Sequence, residues 1–258
     1  MKIATYNCNS IRKRMPIVLD WLKKNSPDVL CLQETKVVDT DFPLQPLQAA
    51  GYHVTFRGMK GYNGVATLTR EKPEKVIYGF QDGPDSEDFR LLQVVIGGIQ
   101  IVNTYIPQGF EIESPKYEYK LNWYERLQKY FDSYLKNKLP TIWVGDLNVA
   151  PEPIDLANPI PNKDHPCFHI AAREAYKKTI HNRFVDVYRM KYPDTVSYTF
   201  WAMFANAFKN NKGWRIDHIL ATPDLAKTCT DIQVDLAPRQ APEPSDHTVL
   251  WATFKLPE

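Results

Sequence analysis

The sequence has few cysteines, no long apolar run and almost no net charge. Its four cysteines lie far apart, without a C-x-x-C pair or any zinc-ligand spacing, at Cys8, Cys31, Cys167 and Cys229. This pattern argues against the common zinc modules and favours reduced, buried thiols in a cytosolic protein. The longest apolar stretch, 91-LLQVVIGGIQIV-102, is too short and too interrupted by glycine to span a bilayer. The first ten residues lack the apolar region of a signal peptide. We expect a soluble, unprocessed protein of prokaryotic type in the cytoplasm, with no membrane partner.

The balance of charge leaves the class of partner open. Lys and Arg number 32 against 30 Asp and Glu, and the formal net charge of +2 neither demands nor excludes a nucleic acid. With 258 residues, 43% of them hydrophobic, the chain can bury a substantial core. Because the composition changes nowhere along the chain, the sequence predicts one domain over residues 1–258, acting as a monomer.

Apolar strands alternate with amphipathic helices along the chain. Ser10 is a candidate cap for a first helix, Ser114 and Pro115 open a second that runs to Lys136, and a third covers residues 168–181. Such alternation predicts an α/β domain in which sheets pack inside helices. Strands are predicted at residues 2–7, 28–34, 52–56, 64–69, 91–97, 99–106, 140–145, 196–200, 214–221, 230–236 and 247–254.

Polar residues stand where these strands end. In 143-WVGDLNVAPEPIDL-156 an apolar run ends in Asp146 and Asn148, and side chains two positions apart on a strand share a face. Any one such residue is more often a turn former, a helix cap or an ordinary core residue than part of a site. Their repetition at five strand boundaries instead favours a shared site at one edge of an α/β sheet. The others are Asn7 and Asn9, Glu34, Asp217, and Asp246 with His247.

The order and spacing of these motifs resemble the exonuclease III family of apurinic/apyrimidinic endonucleases, within the endonuclease/exonuclease/phosphatase superfamily. The resemblance implies an α/β four-layer sandwich, with two mixed β-sheets packed face to face and helices on the outside. It also implies hydrolysis of duplex DNA 5′ to an abasic site in DNA repair, with 3′ to 5′ exonuclease and 3′-phosphatase side activities. The matching segments are ATYNCNSIR, DVLCLQETK, KGYNGVA, NTYIPQG, VGDLNVAPEPIDL, YTFW, GWRIDHILAT and PSDH.

The acidic residues favour a hard divalent cation. Carboxylate and amide oxygens suit Mg²⁺, for which Mn²⁺ can substitute, and the sequence contains no Cys or His cluster of zinc type. Glu34 is the first candidate ligand. Asn9 and Asp246 are expected to support it, with Asp146 and Asn148 as further ligands.

The same strand ends supply candidates for the chemistry. Asp146 is the candidate general base that deprotonates the attacking water. His247 is expected to donate a hydrogen bond to a phosphate oxygen while Asp217 holds its ring, and Asn7 to orient that pair or the neighbouring carboxylate. Two further roles follow from the resemblance: Tyr105 contacts the scissile phosphate, and Asn148 hydrogen-bonds the phosphate or the nucleophile.

Basic and aromatic residues are candidates for the DNA surface. Single basic residues could equally form a solvated face, and the aromatic residues could be ordinary core. The resemblance places Phe200, Trp214 and Ile216 in an apolar pocket for an extrahelical sugar, which an intact nucleotide is too large to enter. The other candidates are Arg12, Lys60, Tyr62, Asn63, Gln108 and Phe204.

The chain departs from the family pattern at two places. Some members carry Asp where this sequence has Asn9, and some carry Arg after the Tyr-x-Pro motif, where this sequence has Gln108. Two other functions remain open from the sequence. One is a metal-dependent phosphoesterase that acts on a non-DNA substrate. The other is a catalytically silent DNA-binding scaffold, which would have lost its carboxylates.

Overall fold

Two six-stranded mixed sheets form the framework of the protein. The computed structural model describes residues 1–83, 89–137 and 139–256. The described strands are β1 (Lys2–Asn7), β2 (Val29–Gln33), β3 (His53–Arg57), β4 (Val65–Thr69), β5 (Lys75–Tyr78), β6 (Leu91–Ile96), β7 (Ile99–Tyr105), β8 (Thr141–Asp146), β9 (Val185–Asp186), β10 (Asp217–Ala221), β11 (Cys229–Asp235) and β12 (Val249–Phe254). One sheet has the order β11-β12-β1-β2-β4-β3, and the other has the order β5-β6-β7-β8-β10-β9.

Helices connect and cover the strands. The longest begins where the sequence predicts, with Pro115 at its first turn and the Ser114 hydroxyl accepting the Tyr117 N–H at 3.2 Å. None of the helices in the described part of the chain is long and apolar enough to cross a membrane. The helices are α1 (Ile11–Asn25), α2 (Leu44–Ala49), α3 (Pro115–Tyr134), α4 (Ile170–Ile180), α5 (Val187–Lys191), α6 (Pro223–Lys227) and α7 (Ala237–Gln240).

Side-chain alternation on the strands produces the layers. On β8, Ile142 and Val144 enter a core that both sheets share, whereas Trp143 points to the opposite side and packs beneath α3 and α4. On the outer side of the first sheet, Trp21 of α1 belongs to a third core. The order of layers is therefore helix, sheet, sheet, helix, which confirms the predicted four-layer α/β sandwich.

Strand direction brings the predicted polar residues together. β1 runs parallel to β2 in one sheet, and β7 runs parallel to β8 in the other. Asn7 at the end of β1 donates to Asp146 at the end of β8 at 2.9 Å, so both strands end on the same edge of the sandwich. β10 is antiparallel to β8 and starts with Asp217 directly opposite Asp146. β12 is antiparallel to β1, so the residues that precede it, including His247, also reach this edge.

Glycine residues permit one tight hairpin and one close approach between strands. The β6–β7 hairpin turns at Gly97 and Gly98, which have φ values of +55° and +71°, as the sequence predicts. Gly145, immediately before Asp146, has φ +141°, and a Cβ atom there would lie 1.9 Å from the Thr104 carbonyl oxygen. A side chain at position 145 would therefore push β8 away from β7 and displace Asp146.

The strand predicted at residues 196–200 is wrong. The structure has only isolated bridges there, which join Phe200 to Trp214 and to His247. The chain turns away after this point, because the Trp201 N–H donates to the Asp246 carbonyl at 2.8 Å. Phe200 therefore bridges the segments that precede β10 and β12, and residues 196–200 do not form a strand of either sheet.

Other predicted bounds shift by a few residues. The strand predicted over residues 214–221 begins at Asp217, because the Arg215 N–H donates to the Asp155 carbonyl at 2.7 Å outside the sheet. α4 begins at Ile170, later than predicted, and α3 gives way to a 3₁₀ turn after Tyr134. β5, β9 and the short helices α2, α5, α6 and α7 carry too few residues for a periodic signal, and the sequence did not predict them.

Candidate active site

Three predicted site residues meet at the edge where the strands converge. Glu34 follows β2, Asp146 ends β8 and His247 precedes β12, and one ligand atom from each lies within 4.8 Å of the other two. Asp146 and His247 are 1% and 3% exposed. Two acidic groups and an imidazole held this closely in a buried place require compensating contacts.

Asn7 supplies one such contact by bridging the two sheets. Its Nδ2 group donates to Glu34 Oε1 at 2.8 Å and to Asp146 Oδ2 at 2.9 Å. Asn7 is fully buried at the end of β1, and its Oδ1 accepts the Asn9 N–H at 3.1 Å. The amide therefore links the two carboxylates, and its orienting role stays a prediction.

His247 and Asp217 form the predicted pair. His247 Nδ1 and Asp217 Oδ2 are 2.8 Å apart, and His247 Nε2 is 3.7 Å from Asp146 Oδ2. Burial alone would lower the pKa of His247, but the carboxylates of Asp217 and Asp146 outweigh it and raise the pKa to about 10. The ring is therefore an imidazolium at neutral pH, with Nδ1–H donated to Asp217 and Nε2–H free to donate to an incoming anion.

Asp146 is a buried acid, so burial acts on its pKa in the opposite direction from its action on the pKa of His247. Burial raises its pKa to about 7, with Asp217 and Glu34 adding to the shift, while His247 and the Asn7 hydrogen bond act against it. A carboxyl group with a pKa near 7 can both accept and release a proton at neutral pH, which is what a general base requires.

Asn148 does not share a strand face with Asp146, contrary to the sequence prediction. β8 ends at Asp146, and Asn148 turns away with a left-handed φ of +48°. Its Nδ2 donates to the Ile106 carbonyl at 2.9 Å, and its Oδ1 lies 3.6 Å from the Cys167 thiol. The Asn148 backbone N–H donates to Asp146 Oδ1 at 2.9 Å, so the residue still contacts the candidate base.

Several residues of this site have a left-handed backbone conformation. Asn9, Ser10, Glu34 and Asn148 have φ values of +43°, +93°, +51° and +48°, a region that residues other than glycine seldom occupy. Strained residues persist only where neighbouring contacts over-determine them, and they cluster at functional sites.

Lys36 is a member of the site that the sequence analysis missed. Its Nζ lies 2.7 Å from Glu34 Oε2 and donates to Asn9 Oδ1 at 2.6 Å. Asn9 Nδ2 in turn donates to Asp246 Oδ1 at 3.0 Å. A basic residue two positions after a predicted carboxylate ligand was a signal for such a contact. The predicted supporting residues Asn9 and Asp246 therefore join Glu34 in one hydrogen-bonded group.

Tyr105 also reaches the site, from the end of β7. Burial raises the pKa of its phenol well above the ordinary value, and Glu34 and Asp146 add to the shift. The phenol therefore stays protonated and acts as a hydrogen-bond donor. The guanidinium of Arg90 lies over its ring at 4.6 Å from the centroid and holds the ring in place.

A cavity of about 590 Å³ opens above these residues, with Glu34, Asp146 and His247 on one side. Its other side is apolar and contains Phe200, Trp214 and Ile216, as predicted. His165, which the sequence analysis did not select, lies against this apolar wall with its ring 4.6 Å from that of Trp214. Burial, followed by the charge of Lys120, lowers the pKa of His165 to about 4, so its ring is neutral.

A buried ionic network supports the apolar side. Arg215 is 1% exposed, and its Nε donates to Asp155 Oδ1 at 2.7 Å while its Nη1 donates to Asp186 Oδ2 at 2.9 Å. Burial would raise the pKa of Asp186, but the Arg215 charge dominates and lowers it. Because Arg215 stands between Trp214 and Ile216, the network fixes both pocket residues.

The predicted DNA-surface residues divide into two groups. Gln108 and Phe204 line the cavity with the pocket residues, and Phe204 is 76% exposed at its rim. Four others lie outside the cavity lining: Arg12 on the first turn of α1 and Lys60, Tyr62 and Asn63 in the turn between β3 and β4. Arg12, Lys60 and Tyr62 are exposed, as a surface that grips a large ligand requires.

The donor set fits a hard cation. Glu34 and Asp146 offer carboxylate oxygens, and a chain of hydrogen bonds through Lys36 and Asn9 connects Glu34 to Asp246. A protonated His247 has no free lone pair and acts as a donor instead of a ligand. No cysteine belongs to this cluster within the described residues, which favours Mg²⁺ or Mn²⁺ over zinc.

Comparisons with known proteins agree with this geometry. A model of the endonuclease/exonuclease/phosphatase family matches residues 4–247. The chain is 31% identical to "Exodeoxyribonuclease III" of Haemophilus influenzae, across 99% of this chain and 100% of that protein. Its fold superposes on an AP endonuclease from Archaeoglobus fulgidus with a TM-score of 0.96 and 49% identity, covering 99% of this chain and 100% of that one. A 3′ phosphatase from Neisseria, solved with a product DNA hairpin, gives a TM-score of 0.96 and 33% identity with the same coverage.

The resemblance inferred from the strand-end motifs is thereby confirmed over nearly the whole length. This chain belongs to the endonuclease/exonuclease/phosphatase family.

Proposed function

We propose that this protein is a DNA-repair phosphodiesterase that hydrolyses duplex DNA 5′ to an abasic site. We also propose 3′ to 5′ exonuclease and 3′-phosphatase activities, because the relatives include an exodeoxyribonuclease III, an AP endonuclease and a 3′ phosphatase. The observation that carries the proposal is one cavity with two unlike sides. The Glu34, Asp146 and His247 cluster faces the apolar group of Phe200 and Trp214 across it.

The acidic side performs the hydrolysis. Asp146 takes a proton from the attacking water, since its pKa of about 7 matches the working pH. His247 donates a hydrogen bond from Nε2–H to a non-bridging phosphate oxygen. Tyr105 donates its phenol O–H to the same phosphate. Donors fixed before the reaction, as Asp217 fixes His247 at 2.8 Å, stabilise the charge that develops on the phosphate without reorganising.

Glu34 and Asp146 would hold a Mg²⁺ ion, with Asn9, Asn148 and Asp246 in support. When bound, the ion neutralises charge on the phosphate and on the departing 3′ oxygen. Lys36 has to leave Glu34 Oε2 for that oxygen to serve as a ligand, because its ammonium group is 2.7 Å away. Asn7 keeps the two carboxylates apart in either state.

The apolar side selects the substrate. A deoxyribose without a base is small and has no ring to stack, so it fits against Phe200, Trp214 and Ile216, while an intact nucleotide is excluded by size. Phe204 is exposed at the rim of the cavity, and Arg12 is exposed on α1, where a basic side chain can neutralise a DNA phosphate. The partner is therefore double-stranded DNA with abasic sites or blocked 3′ ends.

The test is incision of a labelled duplex that carries one tetrahydrofuran abasic analogue, with Mg²⁺ and with EDTA. Labels on the two ends map the cut, which we expect on the 5′ side and only with the metal. An undamaged duplex of the same sequence and the Asp146→Asn variant are the matched controls. Binding without cutting would support a silent scaffold. Inactivity on every DNA substrate, with hydrolysis of another phosphoester, would support the non-DNA alternative.

We further propose that residues 1–258 act as one monomeric domain in the cytoplasm. The two sheets share a single core, and the four cysteines are buried and unpaired, as in proteins of a reducing compartment. Light scattering during size-exclusion chromatography, expected to give the 29.9 kDa mass of one chain, tests the oligomeric state. A mass of two chains would contradict it.

A further inference from the structure

A buried lysine lies beneath the active-site loops. Lys120, on α3, has no exposed surface, and its Nζ donates to three carbonyl oxygens: Gln108 at 3.1 Å, Asn148 at 2.7 Å and Pro166 at 2.8 Å. Within residues 1–83, 89–137 and 139–256, no carboxylate forms an ion pair with it. A buried ammonium that is satisfied only by backbone carbonyls is an unusual and costly arrangement.

The three carbonyl acceptors indicate that Lys120 is protonated. Only the ammonium form has three N–H donors, so all three carbonyls are satisfied only when Lys120 is charged. Burying that charge away from water is costly. A methionine would fill the same space without this cost, so packing alone does not account for a lysine at position 120.

The acceptors belong to three separate loops that frame the cavity. Gln108 follows β7, Asn148 follows β8 and Pro166 precedes α4, and Gln108 and Asn148 line the cavity themselves. Pro166 is followed by Cys167, whose carbonyl accepts the Ala150 N–H at 2.7 Å. The loops also contact one another directly, since Asn148 Nδ2 donates to the Ile106 carbonyl and the Cys167 thiol lies 3.6 Å from Asn148 Oδ1. The Lys120 ammonium adds a bond to a carbonyl of each of the three loops.

Gly109 shows how closely the first loop fits over the lysine. It has φ +99°, and a Cβ atom there would lie 3.2 Å from Lys120 Cδ and 3.2 Å from Pro166 Cβ. The aliphatic stem of Lys120 therefore packs against the loop whose carbonyl its head group binds. The stem and the ammonium group of Lys120 therefore both contact the loop that contains Gln108 and Gly109.

We propose that Lys120 is a positioning residue, whose ammonium holds the Gln108, Asn148 and Pro166 loops so that Asn148 and the cavity wall meet the phosphate correctly. The proposal deepens the function proposed above and rests on it. Lys120 does not touch the substrate and acts through the loops. Displacing a reacting or positioning group by about 1 Å can cost roughly 10²-fold in rate, so the expected effect is large.

The kinetic test compares Lys120→Met, Lys120→Arg and wild type on the tetrahydrofuran duplex. We expect Lys120→Met to lower kcat roughly 10²-fold, while KM for the duplex changes less than about threefold, because the exposed DNA surface is intact. Lys120→Arg keeps the charge and the donors and should recover at least roughly a tenth of the wild-type kcat. Phe131→Leu, which alters the α3 core far from the cavity, is the matched control for lost stability. Equal kcat in Lys120→Met and wild type would overturn the proposal.

A second measurement does not depend on DNA. In Lys120→Met, the Ala150 and Phe168 amides should exchange hydrogen faster, whereas the amides of β7 and β8 should not. The pKa of His165 should rise, because the Lys120 charge helps to lower it. If wild type proves inactive on DNA but these changes occur, the proposed function fails and the loop attachment stands. Unchanged exchange and an unchanged His165 pKa would overturn the attachment.

Folding of the variants completes the test. If Lys120→Met does not fold, Lys120→Gln, which keeps two N–H donors, takes its place in both measurements and should show a smaller loss of kcat. If no variant at position 120 folds, Lys120 serves the fold itself and its role as a positioning residue is refuted.

Discussion

Replacement of Asp146 by asparagine removes one buried charge and keeps the shape of the side chain. Burial raises the pKa of Asp146 from 3.8 to about 7, so the folded protein holds a proton that the unfolded chain releases. A group whose pKa is raised on folding contributes stability below its unfolded pKa and loses that stability as the pH rises through the folded pKa. At about 1.4 kcal/mol per pH unit, ionised Asp146 costs the folded state about 4 kcal/mol at pH 7 and above.

The Asp146→Asn variant has no such titration. The free energy of unfolding of the variant, minus that of wild type, should therefore rise by about 2 kcal/mol between pH 5 and pH 7 and level off near pH 8. A constant offset is superimposed, because an amide oxygen accepts from only one of the two groups now bonded to Asp146, the Asn7 Nδ2 and the Asn148 N–H. That loss costs about 1–3 kcal/mol at every pH.

The assay is urea unfolding of metal-free protein in EDTA, at four pH values from 5 to 8 and constant ionic strength. Asp224→Asn is the matched control, because Asp224 is exposed and pairs with Lys227, which lowers its pKa out of this range. Its difference from wild type should stay flat. A flat or falling difference for Asp146→Asn would refute the argument that burial controls this carboxyl group.

The same variant should lose turnover while it gains stability at high pH. Without a general base, incision should fall by at least about 10²-fold, while the protein remains folded. Near wild-type turnover would remove Asp146 from the mechanism. A stable but inactive variant would indicate that the buried carboxylate is retained for chemistry at the expense of the fold.

Three further outcomes test the other parts of the site. EDTA should abolish incision, and Glu34→Gln should raise the Mg²⁺ concentration needed for half-maximal activity without weakening duplex binding; a titration with an unchanged Mg²⁺ requirement would count against Glu34 as a ligand. Trp214→Ala should reduce abasic incision more than 3′-phosphatase activity, because Trp214 lines the apolar side of the cavity. A constant ratio of the two rates, with the loss of about 3–5 kcal/mol usual for buried Trp to Ala, would assign it to the core instead. Burial lowers the pKa of His165 from 6.5 to about 4, so wild type should lose up to about 3 kcal/mol relative to His165→Gln as the pH falls from 6.5 to 4, and equal acid sensitivity in urea melts would contradict this.

Local signals predicted the regular elements. The strands near residues 2–7 and 140–145 are short apolar runs, and α3 has a Ser114 cap and Pro115 at its first turn; each of these depends only on neighbouring residues. Segment 196–200 has the composition of a strand, but a ladder needs a partner of matching length. Its neighbours there, Trp214 and His247, each offer a single bridge.

The position of Asn148 shows that the alternation of side chains holds only within a strand. Alternation places residues two apart on one face only while the strand continues, and β8 ends at Asp146. At the left-handed turn, the Asn148 side chain contacts Ile106 and Cys167, which belong to distant parts of the chain. No local signal in the sequence reports these contacts.

The sequence by itself determined which residue types stand at the strand ends, and with them the family and the class of chemistry, because those residues recur in order along one chain. Only the tertiary structure decided how they act. The pKa of Asp146 near 7 and the charge of His247 depend on burial and on carboxylates from other strands. Lys120, beneath three loops, is an ordinary surface residue in a pattern analysis. Burial, distance and electrostatic field are properties of the packed chain, and a local sequence does not contain them.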